Sequence, residues 1–463
     1  MLDVVVIGSG IAGMTAARRA QQGGARVRVL EKSWTAPGFG NSRQSGAVFH
    51  ADYDAQIRDP DALYARVMGI TDAHACPDVA RAWADTIGRA FDWQVAEGAV
   101  YGGAGTTDET GRRLQPIQPQ VVGRPWFGAG PDRFLGMLVR AFEAAGGEFW
   151  TGSRARRLIT SGGRVTGVVV ATSDGLQDVQ ARAVVMADGG FQANRELMAS
   201  YVTTEYLVDG SPLDTGDCLQ MALEVGAKTV NMPWFYGHCR HRDALVNPRL
   251  SPHPAPGNVV EAGLVADPDG LRIVDEAVGT TRVAVAIAHS RTPGGCWVIF
   301  DDAVWNGAAT APPRAGSTVP VNPTVVEEGG TLIEADTVAA LAEAIPAPMG
   351  ALERTVEAYN AALAAGHGAA LDISRTGEPV PLLRPPFRAL PLIAGVYFTM
   401  GGPLVNGRAQ VLDADERPIE GLYAAGGTMG GLMGGPQAGY AGGWAEASTF
   451  GLIAGESAIG QES

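Results

Sequence analysis

The chain has 463 residues with a formal net charge of −14, and 46% of the residues are hydrophobic while 18% are charged. These proportions are typical of a globular protein, and the length favours two domains that share an interface. The negative charge argues against nucleic acid as a partner, and no uncharged apolar run is long enough for membrane insertion. The first apolar run begins at residue 2, so we expect no secretion signal and a cytoplasmic location. The four scattered cysteines lack metal-binding spacing, so no metal is expected.

The first stretch of the chain has the pattern of a dinucleotide-binding βαβ unit. A short apolar run over residues 2–7 leads into three glycines with G-x-G-x-x-G spacing, which are followed by helix-forming residues. A second apolar run, residues 26–30, ends at the acidic residue Glu31. Strand, tight turn, helix, strand and acid within about 30 residues predict a dinucleotide site at this end of the chain.

Each glycine of the turn has its own role in such a unit. Gly8 allows the tight turn out of the strand, Gly10 lets the backbone approach a pyrophosphate, and Gly13 lets the helix pack against the strand. The pyrophosphate is expected at the helix N-terminus, where unpaired N–H groups and the helix dipole favour an anion. Glu31 is placed to accept hydrogen bonds from the ribose hydroxyls, which argues against NADP. The motif alone leaves NAD and FAD open.

The chain after Glu31 shows further helical patterns. A polar loop over residues 34–46 follows the second strand and is expected to contact the ligand, although an ordinary surface loop is the alternative. Apolar residues then recur with helical spacing over residues 61–68, 77–98 and 131–142. These patterns indicate that helices alternate with the strands of the dinucleotide domain.

Two further strand-like runs follow, at residues 164–170 and 183–187. The second run ends in Asp188-Gly189-Gly190, just as the first strand of the chain ends in glycines. A helical pattern then opens at Thr215-Gly216-Asp217 and ends near Gly226, and we expect Asp217 to be its N-terminal cap.

The composition of the sequence changes near residue 233, where prolines become frequent, and again near residue 386. A strand-like run at residues 297–300 and a helical pattern at residues 352–365 lie between these points. We interpret residues 233–386 as an inserted second domain, and residues 1–232 and 387–463 as the two parts of one dinucleotide-binding domain.

The closing segment indicates which dinucleotide is bound. Residues 421–427 form a strand-like run that ends in glycines, and a glycine-rich loop leads from it into a final helix over residues 444–458. A nicotinamide enzyme has no obvious use for a second strand–glycine–helix element. The ribitol and flavin of FAD, in contrast, extend across the sheet toward such an element, so the two ends of the chain together predict FAD.

Several motifs along the chain match those of a known superfamily. They are the glycine turn with Glu31, Gly40-Asn41-Ser42, Ala187-Asp188-Gly189-Gly190-Phe191, Thr215-Gly216-Asp217, residues 269–276, Thr399-Met400-Gly401-Gly402 and Gly421-Leu422-Tyr423-Ala424-Ala425-Gly426. With them the chain resembles the flavoprotein subunits of succinate dehydrogenase and fumarate reductase over essentially its full length. It is most similar to the tricarballylate dehydrogenase-like branch, and 3-ketosteroid 1-dehydrogenases are more distant. The resemblance implies an α/β fold, α+β overall, in which a Rossmann-like FAD-binding domain carries an inserted capping domain.

The resemblance also implies a reaction. Enzymes of this superfamily interconvert CH–CH and C=C bonds beside a carbonyl or carboxylate, and here the substrate would be a small or medium organic molecule. Hydride passes between carbon and the flavin N5 while a side chain carries the proton. We expect the dehydrogenase, or desaturase, direction, with electrons leaving to an external acceptor such as oxygen, a quinone or a redox protein. Two alternatives stay open: an ene-reductase fed by an external donor, and a flavoprotein in which FAD serves only structure or binding.

The catalytic residues carry over from the resemblance only in part. His238 stands where fumarate reductases keep a substrate-binding histidine, and a buried structural histidine is the alternative. The arginine that donates the proton in those reductases would fall on Thr280 without a gap. A shift of two residues places it on Arg282, which is our candidate. Tyr440 in the last loop could polarise a carbonyl or act as base, and a packed aromatic is the alternative.

Two departures from the family pattern affect the expected substrate. Phe398 replaces the histidine that precedes the T-M-G-G motif in fumarate reductases, and Gln437 or a neighbour replaces the arginine that clamps a substrate carboxylate. Because a bidentate arginine gives the strongest recognition of a carboxylate, fumarate and succinate are not expected as substrates. We expect Phe398 and Gln437, together with Tyr236 and Tyr397, to contact the substrate.

The resemblance implies a non-covalent cofactor. The loop aligned with the covalent flavin attachment site of the respiratory enzymes carries Asn41 and Ser42 and no histidine. No haem or iron–sulfur motif accompanies it. The residues expected to contact FAD are Gly8, Gly10, Ile11, Ala12, Gly13, Glu31, Lys32, Gly40, Asn41, Ser42, Ser45, Gly46, Ala187, Asp188, Gly189, Gly426, Gly442 and Gly443.

Overall fold

The computed structural model describes residues 1–50, 59–102, 112–124, 128–311, 319–345 and 350–461. Its strands are β1 (Leu2–Ile7), β2 (Val27–Leu30), β3 (Val48–Phe49), β4 (Tyr101–Gly102), β5 (Arg112–Leu114), β6 (Glu148–Trp150), β7 (Arg154–Ser161), β8 (Arg164–Thr172), β9 (Gly175–Met186), β10 (Leu207–Val208), β11 (Thr229–Val230), β12 (Phe235–His241), β13 (Leu264–Ala266), β14 (Trp297–Phe300), β15 (Ile333–Ala335), β16 (Phe387–Thr399), β17 (Gly402–Pro403), β18 (Gln410–Leu412) and β19 (Pro418–Ala424). Its helices are α1 (Ile11–Gln22), α2 (Asn41–Gln44), α3 (Pro60–Ile70), α4 (Pro77–Ala96), α5 (Gly130–Ala144), α6 (Arg195–Tyr201), α7 (Asp217–Glu224), α8 (Gly257–Ala262), α9 (Thr280–Ala288), α10 (Asp302–Asn306), α11 (Thr324–Glu327), α12 (Val338–Ala344), α13 (Leu352–Ala364) and α14 (Gly443–Ala458). Within these described ranges, no helix has both the length and the apolar character needed to cross a membrane.

The first sheet carries the glycine turn at its centre. Its strand order is β18-β19-β9-β1-β2-β6, and β7 and β8 continue from β9. β1 pairs in parallel with β2 and with β9, and β19 pairs in parallel with β9. Val4, Val5 and Val6 of β1 are fully buried, as is typical of a parallel strand that is covered on both faces. The predicted strands at residues 2–7 and 183–187 and the predicted α/β class are therefore confirmed.

The two ends of the chain meet where α1 packs against α14. Glycines on α14 permit a close approach of the two helices. A Cβ atom on Gly451 would lie 2.5 Å from the carbonyl oxygen of Ala12, and one on Gly455 would lie 2.6 Å from the carbonyl oxygen of Ala16. No side chain fits at such distances, so the backbones contact each other directly. The helices run in the same direction, and both N-termini therefore lie at the same end of the first sheet.

The second sheet is organised around β16, which has 13 residues. Its strand order is β10-β16-β14-β13, and β12 and β15 also pair with β16. β12 runs antiparallel to β16, with Tyr236 opposite Phe398 and His238 opposite Gly395. This pairing brings the predicted substrate residues of two distant segments to one place.

The domain boundaries at residues 232/233 and 386/387 stay a prediction. β10 precedes the first boundary and β16 begins just after the second, and both strands belong to the second sheet. Phe235, Val298 and Leu390 are part of an apolar core around the second sheet that is distinct from the core of the first. The second sheet therefore draws strands from all three predicted segments.

The longer predicted helices are confirmed as α3, α4, α5, α13 and α14. The prediction that Asp217 caps α7 is wrong. α7 begins at Asp217, and Gly216 occupies the capping position with a φ of 68° and no side chain to offer. The Asp217 carboxylate instead accepts hydrogen bonds from Lys32 at 3.2 Å and from Arg154 at 2.9 Å. Charge pairing with distant cations therefore replaces the local hydrogen bond that the sequence suggests.

Candidate active site

A cavity of about 500 Å³ is lined by residues from both sheets. Of the residues predicted to contact FAD, those that line it are Gly8, Gly10, Ile11, Ala12, Glu31, Lys32, Gly40, Asn41, Ser42, Ser45, Gly46, Ala187, Asp188, Gly189, Gly426 and Gly443, whereas Gly13 and Gly442 do not. Of the predicted catalytic and substrate residues, His238, Tyr236, Tyr397, Phe398 and Tyr440 line it, whereas Arg282 and Gln437 do not. Among the residues that the structure describes, no group of three or more His, Cys, Asp or Glu is placed to hold a metal ion.

The turn after β1 is shaped by backbone contacts that leave no room for side chains. Gly8 has a φ of 100°, and a Cβ atom there would lie 2.3 Å from the carbonyl oxygen of Ala187. A Cβ atom on Gly13 would lie 2.0 Å from the carbonyl oxygen of Gly8. Gly10 precedes α1 in an extended conformation and has no side chain to cap the helix, and the N–H of Ile11 donates to the Ser42 hydroxyl oxygen at 3.0 Å. The first turn of α1 thus borders the cavity with backbone N–H groups, which suits an anionic phosphate.

Glu31 is held rigidly at the end of β2. The residue is 7% exposed, and its carboxylate accepts hydrogen bonds from the Ser9 hydroxyl at 2.5 Å and from the Ser33 N–H at 2.8 Å. One bond to each oxygen leaves further lone pairs for hydroxyl donors of a ligand. The geometry therefore fits a ribose at this end of the cavity.

Asn41 ties the loop around α2 to the rest of the molecule. Its amide group donates to the Asp214 carboxylate at 2.9 Å and to the Tyr397 carbonyl oxygen at 2.8 Å. Its side-chain oxygen accepts from the N–H of Ser211 at 2.6 Å. Both amide hydrogens are used inside the protein, so any contact of Asn41 with FAD comes through its backbone or its remaining lone pair.

Two features of the cavity wall fit a flavin dinucleotide. α14 begins at Gly443 without a side-chain cap, so a second helix N-terminus faces the cavity. Gln44 is 5% exposed and lines the cavity, and no group in the described part of the chain donates to its Oε1 atom. A buried amide oxygen without a donor is costly, so we expect a ligand N–H, such as that of a flavin ring, to supply one. Gln44 was missed from the sequence, where its only signal is its place between Ser42 and Ser45.

Aromatic side chains form the wall of the cavity beside β12 and β16. The Tyr236 ring stacks on the Tyr440 ring at a centroid distance of 4.0 Å and an interplanar angle of 17°. The rings of Phe398 and Tyr397 lie 5.4 Å and 6.0 Å from that of Tyr236. Ring contacts of this kind fix the orientation of the side chains. The rings offer apolar surface to a ligand, and the tyrosines also offer hydroxyl groups. Four of the predicted site residues are therefore brought together.

His238 joins this aromatic cluster through hydrogen bonds. Its Nε2 atom lies 3.2 Å from the Tyr236 hydroxyl, and its Nδ1 atom lies 2.9 Å from the Thr280 hydroxyl oxygen. A tautomer with the proton on Nδ1 donates to Thr280 and leaves Nε2 to accept from Tyr236. The side chains of Tyr236, His238 and Thr280 then form a hydrogen-bonded series along which a proton can move.

Arg282 lies apart from this hydrogen-bonded series of side chains. Its Nε atom donates to the backbone carbonyl oxygen of Gln437 at 2.9 Å. Thr280, which an alignment without a gap selects, is the residue that lines the cavity and contacts His238. The structure thus places Arg282 and Gln437 against each other outside the cavity lining, and the role of Arg282 as proton carrier stays a prediction.

A buried ion pair adjoins the aromatic cluster and was missed from the sequence. Arg240 is 4% exposed, and its Nε atom donates to the Asp209 carboxylate at 2.6 Å. Its Nη2 atom donates to the Tyr397 hydroxyl oxygen at 2.7 Å. Arg240 follows His238 at the strand period of two, which was the available signal.

Glu446 in the first turn of α14 is a second residue that the sequence did not single out. It lines the cavity and is 3% exposed. Burial raises the pKa of Glu446 from an ordinary 4.5 to about 8. The native state therefore holds a proton that the unfolded chain has already released over the pH range between these two values.

We expect the unfolding free energy to fall as pH rises through this window, by up to about 1.4 kcal/mol per pH unit, because the unfolded state binds fewer protons. Glu446→Gln removes this dependence. The melting temperature of the variant minus that of the wild type should therefore increase from about pH 5 to about pH 8. Thermal unfolding of the FAD-loaded proteins at several pH values measures the gain. Exposed Glu343→Gln is the matched control, and a Glu446→Gln difference that is constant with pH would contradict the prediction.

The chain is similar in sequence to known proteins. The family model described as FAD binding domain matches residues 3–443. The probable fumarate reductase Ifc3 of Shewanella frigidimarina (strain NCIMB 400) is 30% identical over 338 residues, which cover 71% of this chain and 53% of that protein. The 4-oxocyclohexanecarboxylate 2-dehydrogenase of Sinomonas cyclohexanicum is 28% identical over 362 residues, which cover 71% of this chain and 60% of that protein. The chain therefore spans less than two thirds of the length of either relative.

A solved structure shows the same fold. The crystal structure of 3-ketosteroid delta1-dehydrogenase from Sterolibacterium denitrificans matches with a TM-score of 0.77 and 21% identity, over 99% of both chains. At this identity the likeness concerns the fold alone, and it confirms the predicted α/β architecture. None of the relatives named here is a tricarballylate dehydrogenase, so that branch stays a prediction.

Proposed function

The chain belongs to the family of FAD-binding domains, and from this premise we propose that it is an FAD-dependent dehydrogenase, or desaturase. It would introduce a C=C bond next to a carbonyl or carboxylate of a small or medium organic molecule. The observation that carries the proposal is the position of Tyr236, His238 and Tyr440 in the cavity that the dinucleotide motif also lines. A dinucleotide site and titratable side chains in one cavity are what a coupled transfer of hydride and proton requires.

The side chains of the cavity supply the route for the proton. FAD, when bound, supplies the acceptor for a hydride from the substrate. As the C–H bond next to the carbonyl breaks, its proton forms a new O–H bond with Tyr236, whose own proton passes to Nε2 of His238. The Thr280 hydroxyl accepts a hydrogen bond from Nδ1 and so stabilises the protonated ring. His238 then releases the proton to solvent.

The relatives support the reaction class. One is named a probable fumarate reductase and the other a 4-oxocyclohexanecarboxylate 2-dehydrogenase, so the two names cover both directions of C=C chemistry. The second name describes a compound that has a ketone as well as a carboxylate. The last loop has no arginine to clamp a carboxylate, and Arg240 and Arg124, which line the cavity, are already bonded to the Asp209 carboxylate, so we favour a ketone as the activating group.

An anaerobic screen tests the proposal. Saturated ketones and carboxylates, including 4-oxocyclohexanecarboxylate and succinate, are added to the oxidised FAD-loaded protein, and the visible flavin absorbance is followed. We expect cyclic ketones to bleach the flavin and succinate to leave it unchanged. If none of the compounds bleaches it and no unsaturated counterpart reoxidises the reduced flavin, FAD serves only structure or binding and the proposal is wrong.

The ene-reductase direction is the second candidate. The name of the Shewanella frigidimarina relative, a probable fumarate reductase, favours it. Turnover with a reduced donor and an unsaturated acceptor, compared with turnover with an oxidised acceptor and a saturated donor, separates the two directions. In both, electrons are exchanged with an external partner such as oxygen, a quinone or a redox protein.

FAD is proposed to be bound without a covalent bond, because Asn41 and Ser42 occupy the loop where the respiratory enzymes carry the attachment. We expect acid or heat denaturation to release all of the flavin into the supernatant, and the denatured protein band to show no flavin fluorescence. Flavin that stays with the chain after denaturation and gel electrophoresis would overturn this prediction.

Three assignments made from the sequence are retained as proposals. Arg282 is the alternative proton carrier, and it would have to exchange its bond to the Gln437 carbonyl for a position inside the cavity. Tyr440 is the alternative base, because it stacks directly on Tyr236. The cytoplasmic location also stays a prediction.

A further inference from the structure

Tyr397 differs from the other residues of the cavity in how its hydroxyl is bonded. Nη2 of Arg240 donates to the hydroxyl oxygen at 2.7 Å. In the described part of the chain, no group accepts the proton of this hydroxyl, although the residue lines the cavity. A phenol has one proton to donate, and Arg240 offers only donors. The Tyr397 proton is therefore available to a ligand in the cavity.

Arg240 is fixed behind Tyr397 by a buried carboxylate. Asp209 is fully buried, and it accepts hydrogen bonds from Nε of Arg240 at 2.6 Å and from the Ser251 hydroxyl at 2.6 Å. The Arg124 guanidinium contacts the same carboxylate. Burial opposes the charge of Arg240, but the Asp209 carboxylate outweighs it and raises the pKa of Arg240 above its ordinary value. A positive charge thus stays beside the Tyr397 oxygen at neutral pH.

Tyr397 itself is a donor rather than a base. Burial raises the pKa of Tyr397 to about 12, although the charge of Arg240 acts in the opposite direction. The hydroxyl therefore keeps its proton at neutral pH. A phenol that is polarised by a cation on its oxygen donates a strong hydrogen bond, and this bond strengthens as its acceptor becomes negative.

We propose that the Tyr397 hydroxyl donates a hydrogen bond to the carbonyl oxygen of the substrate, and that Arg240, held by Asp209, positions this hydroxyl. The inference rests on the proposed function and narrows the substrate class to ketones and related carbonyl compounds. When the proton leaves the α-carbon, the electron pair of the C–H bond moves toward the carbonyl oxygen. Tyr397 stabilises the negative charge on the carbonyl oxygen without giving up its own proton. The proton lost by the substrate is matched by the one that His238 gains through Tyr236.

Para-substituted phenols of graded acidity are the probes, because a phenolate resembles an enolate in carrying its charge on an oxygen attached to an sp² carbon. They are titrated into the oxidised, FAD-loaded protein, and the change in flavin absorbance gives the dissociation constants. We expect affinity in the wild type to rise with the acidity of the phenol. Tyr397→Phe should lower the affinity for the most acidic phenol about 10- to 100-fold and flatten this dependence. Its FAD content should stay at the wild-type level.

Tyr359→Phe is the matched control. Tyr359 is 1% exposed in the second domain, and its hydroxyl oxygen also accepts from a buried arginine, Arg375, at 3.4 Å. It does not line the cavity. We expect its phenol affinities to equal those of the wild type, so a general effect of removing a buried hydroxyl is distinguished from the loss of a donor.

Arg240→Lys tests the positioning role. Lysine keeps a cation near Asp209 but lacks the rigid fork that reaches two partners. We expect a several-fold loss of phenol affinity in the wild-type background and no further loss in the Tyr397→Phe background, because Arg240 acts through Tyr397. Additive losses in this double-mutant cycle would reject the positioning role.

The outcomes separate this inference from the function on which it rests. Equal phenol affinity in wild type and Tyr397→Phe overturns the inference, and so does a wild type that binds no phenol. If ketones bleach the wild-type flavin and Tyr397→Phe responds at the same rate, the inference fails while the proposed function stands. If no carbonyl compound exchanges electrons with the wild-type flavin, the proposed function fails, whatever the phenols show.

Discussion

Gly13→Val is expected to abolish FAD binding. A Cβ atom at this position would lie 2.0 Å from the carbonyl oxygen of Gly8, and a branched side chain adds further atoms in the same space. α1 must then move away from β1, which displaces the N–H groups that would hold the pyrophosphate. The ratio of flavin to protein absorbance after purification measures the result, and we expect a value near zero.

Two further variants make this result interpretable. Gly69 lies in α3, and a Cβ atom there would have no other atom within 4 Å, so Gly69→Ala should keep full FAD content. If Gly13→Val does not fold, as judged by thermal unfolding, Glu31→Gln provides the milder test. It keeps the shape of the side chain, removes its charge, and should weaken FAD affinity about tenfold. A Gly13→Val protein with wild-type flavin content would refute the placement of the pyrophosphate.

His238→Gln is expected to lower the rate of flavin reduction by a saturated substrate by about 10²- to 10⁴-fold, while FAD content stays unchanged. Glutamine can still bond to Tyr236 and Thr280, but it cannot take up a proton. The rate is measured anaerobically by rapid mixing with the ketone that the screen identifies. Because Tyr236 and His238 act as one unit, Tyr236→Phe combined with His238→Gln should cost little more than either change alone.

His289→Gln is the control for this experiment. His289 bonds through Nε2 to the Pro233 carbonyl oxygen at 3.2 Å and does not line the cavity, so its replacement should leave the rate of flavin reduction unchanged. Arg282→Lys gives the competing result. If Arg282→Lys abolishes flavin reduction while His238→Gln reduces the flavin as fast as wild type, the proton is carried by Arg282. The proposed proton route through Tyr236 and His238 is then wrong.

The dinucleotide unit could be predicted in detail because its signals are local. The spacing of Gly8, Gly10 and Gly13 reports steric limits within one turn, and the apolar runs on either side report burial in one sheet. The predicted membership of the fumarate reductase flavoprotein superfamily is confirmed by the family match and by the relatives. The aromatic cluster could also be predicted in part, because the resemblance aligned Tyr236, His238 and Phe398.

The residues that were missed depend on contacts between distant segments. Arg240 is 31 residues from Asp209 and 157 residues from Tyr397, and no spacing in the sequence reveals that the three meet. The assignment of the proton donor to Arg282 rather than Thr280 requires a loop shift of two residues, and the length of a loop cannot be derived from one sequence. The structure places Thr280 beside His238 without that shift.

A single anaerobic turnover tests the central claim most directly. The oxidised, FAD-loaded protein is mixed with a cyclic ketone that is deuterated at the carbon β to the carbonyl, flavin absorbance is recorded, and the products are identified by mass spectrometry. We predict one α,β-unsaturated ketone formed for each flavin reduced, and slower reduction with the deuterated than with the unlabelled ketone. A flavin that stays oxidised with every carbonyl compound tested, and that no unsaturated partner reoxidises once it is reduced, would contradict the claim.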